Sequence, residues 1–231
     1  SIPAGSGHFS VQGAACFDSE RTQLAAQERG GPLWHIASGP GTVHIETVDS
    51  AGRVLTTRNL NRVFSEAMIA AAAKGSANAD DSRSSCVAVH GCCFVSFANF
   101  VFVVDPSRSD VQTIEFESAV SDIAISKTST RRRLAISTTD GVFLIYDGWM
   151  ERQKRIEATL SHAKLTFTSG GLLAMVDAST VAMLQTSSGT LHDIPWPEAE
   201  RPETVVATNH PHVFATLSRK GILRGFEFPR G

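Results

Sequence analysis

No stretch of this chain approaches the run of about 18 apolar residues that a membrane-spanning helix requires, so the sequence offers no transmembrane segment. Charge of one sign is not in excess either. Lys and Arg number 21 against 23 Asp and Glu, a net of -2, so no global field draws the chain to nucleic acid or to an anionic membrane. Cysteine is scarce, four in 231 residues with Cys92 and Cys93 adjacent, which does not resemble the disulfide framework of a small secreted domain. No Asn-x-Ser/Thr acceptor is present. These absences point to a reducing compartment, cytoplasmic or nuclear. The opening residues 1–7 have no initiator Met, basic stretch or apolar core of a signal peptide, and read as a flexible start or tag remnant.

What the sequence does have is internal repetition. Leu134 to Asp147 holds two short apolar runs around Asp140-Gly141, and Asp-Gly is a strong hairpin signal because Gly accepts positive φ. A matching pair of runs, Leu173 to Val176 and Val181 to Leu184, follows 39 residues later. Another follows that by 41, at Phe214, Ala215 and Ile222. Phe100 to Asp105 precedes Val142 to Asp147 by 42. A spacing of about 40–45 residues is what one four-stranded propeller blade takes. A fifth copy, Leu33 to Ile36 with Val43 to Asp49, lies 56 residues before its successor. The surplus predicts a helical insertion over 58–74, where Val63, Phe64, Ala67, Met68 and Ala71 recur at helical spacing and Gly75 follows as a stop. Ser76 to Ser85 reads as a loop.

The remaining strands fall into place around these pairs. Inner strands are expected at Asp122 to Ser126, Lys164 to Phe167 and Thr204 to Ala207, and outer strands at Gln153 to Glu157 and Thr190 to Ile194. The last copy lacks an outer strand, and Phe9-Ser10-Val11 is free to pair with its edge and close a ring. The expected fold is all-β: a single propeller over 8–231 of about five blades. Some strands of a sixth could hide in Ala14 to Arg29. The rival is a pair of α+β domains divided near Ser76.

Val120 to Asp147 resembles one blade of the WD-repeat family, with Asp140-Gly141 in the hairpin turn and Tyr146-Asp147 where that family often has Trp-Asp. Glu117-Ser118 stand where its Gly-His pair belongs, so the likeness is one of periodicity, from about 33 to 228, more than of motif. The resemblance implies a scaffold that binds protein or peptide partners in an intracellular complex. Coat and nuclear-pore propellers in this family accept a blade from a partner, and a partner-supplied blade or strand is implied here too.

Candidate sites are few. Arg131, Arg132 and Arg133 form the sharpest charge feature, suited to an acidic or phosphorylated segment through bidentate contacts; a solvated loop is the alternative. Phe64 and Met68 on the insertion suit partner docking, or packing on the propeller itself. Cys86, His90, Cys92 and Cys93 lack the spacing of a tetrahedral zinc site and read as strand residues. No metal and no cofactor is expected. A propeller glycoside hydrolase is the alternative function, since such chemistry needs two facing carboxylates. Asp122, Asp177 and Glu203 lie in different copies without a shared motif. No enzymatic activity is therefore expected. His162, His210 and His212 accompany no recognisable nucleophile, and Trp34, Trp149 and Trp196 read as packing residues, with an exposed loop position between Pro195 and Pro197 the alternative for Trp196.

Overall fold

The computed structural model describes residues 13–16, 22–27, 33–39, 42–63, 65, 66, 69, 83–89, 92–105, 107, 108, 110–126, 133–146, 152–156, 160–196, 202–208 and 210–228. Apart from one short helical segment it is built of β-strands in five antiparallel sheets. The first holds β2 (Thr22–Gln27), β3 (Leu33–Gly39), β4 (Thr42–Val48) and β5 (Val54–Asn59), each hydrogen-bonded to the next. The second holds β6 (Arg83–Val89), β7 (Cys92–Phe97), β8 (Phe100–Val104) and β9 (Gln112–Glu115), with β1 (Gly13–Cys16) added to the free side of β6. The third comprises β10 (Val120–Ile125), β11 (Arg133–Thr138), β12 (Gly141–Tyr146) and β13 (Arg152–Ile156). The fourth comprises β14 (Lys164–Phe167), β15 (Leu172–Val176), β16 (Val181–Gln185) and β17 (Thr190–Ile194). The fifth has only β18 (Pro202–Ala207), β19 (Val213–Ser218) and β20 (Leu223–Glu227).

The local causes are visible in the strands themselves. Middle strands such as β8 and β15 are buried at every residue, because a neighbouring sheet covers each of their faces; their sequences are therefore apolar runs without alternation. Outer strands are open: β9 buries only Ile114 and β17 buries no residue fully, and both carry polar residues. The hairpin glycines do what the sequence asks of them: Gly141 has φ 143° and Gly221 φ 77°, values costly for residues with a Cβ.

Apolar layers between successive sheets form the core. Trp34, Ile36 and Ile45 meet Cys93, Val95 and Phe102 between the first two sheets. Phe94, Val101 and Val103 meet Ile123, Leu134 and Ile136 between the second and third. Leu144 meets Leu165, Leu173 and Met175 between the third and fourth, and Met183 meets Phe214 between the fourth and fifth. A fully buried side chain such as Phe102 contributes about 1.5–3 kcal/mol relative to exposure. β6 takes β1 as a hydrogen-bonded neighbour and packs on β2, and the first core layer mixes residues from both sides of Ser76, which joins the two halves and overturns the two-domain α+β alternative.

Several expectations need correcting at the edges. Gly13–Cys16 and Thr22–Gln27 belong to the second and first sheets, so this N-terminal stretch forms no sixth sheet. Phe9-Ser10-Val11 lies outside the described residues, and among the described residues no strand pairs with the free side of β20. The polar stretch read as a loop ends sooner, since Arg83 already begins β6. Arg58 and Asn59 are strand, not helix. The helix occupies residues 61–63, 65, 66 and 69 of the described positions, starting where the Asn59 side chain accepts the Asn61 amide at 2.8 Å, an N-cap. No helix among the described residues is long and apolar enough to cross a membrane.

Candidate functional site

The basic turn divides on inspection. Arg131 and Arg132 lie outside the described residues. Arg133 begins β11 and is half-buried; its Nη1 donates to the hydroxyl of Thr186, in the turn after β16. Thr186 in turn donates to the Gly171 carbonyl at 2.7 Å. The Arg133 guanidinium thus ties the third sheet to two turns of the fourth, and its Nε is buried without a partner.

Arg58 has the same role at an earlier junction. From β5 it donates to the carbonyl of Asp105 at 3.0 Å and to that of Arg108, both in the turn after β8. Asp105 holds its own turn, accepting the Ser107 amide at 2.8 Å and the Ser107 hydroxyl at 2.6 Å. Those two bonds hold its carboxyl below the ordinary carboxylate value.

Phe64 and Met68 lie outside the described residues, but their helical neighbours set the context. Leu60 is buried and Val63 packs on the first core layer. On the free side Ser65 and Glu66 are exposed, Arg62 bonds Glu66 at 2.8 Å, and Ile69 is 71% exposed. The insertion is anchored at its start and leaves a large apolar side chain in water.

The carboxylates considered for hydrolysis are occupied structurally or stand apart. Asp122 is buried and accepts the Leu165 amide at 2.9 Å, a bond from the third sheet to the fourth. Asp177 caps its own turn through the amides of Ser179 and Thr180, at 2.8 and 2.7 Å. Glu203 is exposed on β18. Of the cysteines, Cys93 faces the first core layer and Cys92 the second, so the two thiols point to opposite sides of β7. Cys86 pairs in register with Gly13 and Val95, and His90 lies outside the described residues. Among the described residues no His, Cys, Asp or Glu cluster is placed to hold a metal ion.

Two features were not drawn from the sequence. On the outward face of the first sheet, Glu46 stands between His35 at 3.9 Å and His44 at 3.6 Å. The signal for it is the cross-strand register, which pairs His35 with Glu46 and puts His44 two residues along the same face. On the fifth sheet, Val206, Leu217 and Leu223 are exposed together.

No protein-family description matches the chain, and no curated protein matches it either. Solved structures do. A chain of the mitotic checkpoint complex is similar over 87% of this chain and 61% of its own, at TM-score 0.58 and 10% identity. YCF48 from Cyanidioschyzon merolae is similar over 88% and 79%, at TM-score 0.54 and 11% identity. The Swd1 β-propeller domain of Myceliophteria thermophila is similar over 86% and 64%, at TM-score 0.50 and 10% identity. The chain thus spans less than two thirds of the first and third of these. Sheets in series, a repeat near forty residues and these likenesses agree on one architecture, a β-propeller.

Proposed function

We propose that the chain is a non-catalytic interaction scaffold that holds protein or peptide partners within an intracellular complex. The observation that carries this reading is the inserted helix, fixed by Leu60 and Val63 yet presenting Ile69 to solvent. Exposed apolar side chains on a rigidly held insertion bind without a large ordering cost. Phe64 and Met68 would extend that surface. Arg131 and Arg132 remain the residues for an acidic or phosphorylated segment, with Arg133 holding the base of their turn. The end of the sheet series, where a partner would add a strand or a blade, is a second contact surface distinct from the helix. The buried cysteines Cys92 and Cys93 suit a cytoplasmic or nuclear setting.

Affinity purification separates these surfaces. Ile69→Glu combined with Met68→Ala is expected to lose the helix-bound partners, and Arg131→Glu with Arg132→Glu the acidic ones. A partner set identical to that of the unaltered chain in both variants overturns the assignment.

A further inference from the structure

The fifth sheet ends the series with an apolar face. Thr204, Leu217 and Leu223 make one cross-strand row, and Val206, Ala215 and Gly225 the next. Leu223 is 68% exposed, Val206 50% and Leu217 38%, and a Cβ built on Gly225 would meet nothing within 4 Å. Neither row contains a charge. Terminal units of a repeat array normally turn a polar face outward, and the first sheet carries a carboxylate between two imidazoles there, Glu46 with His35 and His44, beside the exposed Leu55. The last sheet does not.

We infer that this shelf is covered by the same shelf of a second copy, in a two-fold contact of sheet face on sheet face. An isologous contact sets each patch against itself, which suits uncharged aliphatic rows. A copy docking head to tail would instead lay His35, His44 and Glu46 on Leu217 and Leu223, taking polar groups out of water against aliphatic side chains that offer them no hydrogen bond. Charge at the borders favours the two-fold arrangement further. Glu227 is exposed at one end of β20, while Arg219 and Lys220 are exposed in the turn at the other, where Glu203 leaves the balance positive. With the axis perpendicular to the strands, Glu227 of each copy lies over the basic turn of its mate.

The size of the shelf sets the strength. Three strands spaced by about 4.8 Å, each about five residues long, cover roughly 250 Å². A stable interface takes about 600 Å² or more from each partner. The contact is therefore reversible, populated at high concentration or when a larger complex holds two copies together. This inference rests on the open end being a contact surface and is independent of the helix.

Sedimentation equilibrium of the purified chain, from low micromolar to near-millimolar, tests it. Mean mass is expected to rise from monomer toward dimer. Leu223→Lys, at a position open enough to leave folding intact, is expected to raise the association midpoint by about tenfold or more. Glu227→Lys is expected to weaken association, and Arg219→Glu with Lys220→Glu added to it to restore some of the loss. Ile69→Glu is expected to have no effect here, which separates failure of the helix reading from failure of this one. Monomer mass throughout, or association that Leu223→Lys leaves unchanged while Glu46→Lys abolishes it, overturns the two-fold contact.

Discussion

Replacing Gly170 by Ala tests how the fourth and fifth sheets are held together. Gly170 lies in the turn between β14 and β15, and a Cβ added there would sit 2.4 Å from the Pro211 carbonyl oxygen and 3.1 Å from both its carbon and its Cβ. The obstacle is backbone, and that backbone is pinned. The Pro211 carbonyl accepts the Thr168 hydroxyl at 2.7 Å, and the next carbonyl, His212, accepts the Phe228 amide at 2.9 Å. Relief requires the turns to separate by about 1 Å, which strains packing at about 1–3 kcal/mol and forfeits the Thr168 bond, about 1 kcal/mol more. Gly170→Ala is thus expected to lower stability by roughly 2–4 kcal/mol. Gly225→Ala is the internal control, since its added methyl meets nothing within 4 Å, and is expected to stay within about 0.5 kcal/mol of the parent. Urea unfolding followed by far-ultraviolet circular dichroism reads both, with an unchanged m-value licensing the comparison. A Gly170→Ala protein as stable as the Gly225→Ala protein would refute the close approach.

Other junctions give further tests. Arg133→Ala and Thr186→Val should each destabilise by about 1–3 kcal/mol, and the double variant by less than the two together, because they share one interaction; thermal melts of all four proteins measure the coupling. Asp122→Ala should cost about 1.5–3 kcal/mol by leaving the buried Leu165 amide without its charged acceptor, with Asp122→Asn recovering some of this in the same urea assay. Asp105 has a folded pKa below its ordinary 3.8, first through the Ser107 hydroxyl and then the Ser107 amide. The stability it adds is present above 3.8 and lost as pH falls through the lower folded value. Asp105→Asn should accordingly flatten the decline of stability with acid below about pH 4, and an unchanged acid limb would contradict the assignment.

The repeat was legible because inter-sheet packing leaves a mark in every copy. A middle strand covered on both faces must be apolar throughout, so Phe100–Val104 and Leu172–Val176 stand out as runs, and the turn at Asp140-Gly141 fixes their phase. Long-range pairing leaves no such mark. Gly13–Cys16 pairs with β6 rather than with any of the four strands that follow it in the chain, and four small residues contain nothing that names their partner. The contact that Arg133 makes was hidden for a different reason. A charge run reads as exposed when its residues are taken together, yet the strand starting at Arg133 aims that one side chain at Thr186, 53 positions away. Spacing along the chain carries no trace of such a contact.

The fifth sheet shows what the repeat pattern conceals. Along β19 the side chains facing the fourth sheet are Phe214, Thr216 and Ser218, all buried, while Ala215 and Leu217 face away. A sheet meant to end an array would reverse that assignment, with the hydroxyls outward and Leu217 inward. β20 repeats the inversion, turning Arg224 toward the Trp196 ring at 5.6 Å and Leu223 toward water. The sequence of this sheet is therefore that of an interior blade, written for cover on both sides. Thr216 and Ser218 are buried on its inner face, the Thr216 hydroxyl without a partner, while Val206, Leu217 and Leu223 stand on the outer one. Uncovered, Leu217 and Leu223 stay in water as a surface for association.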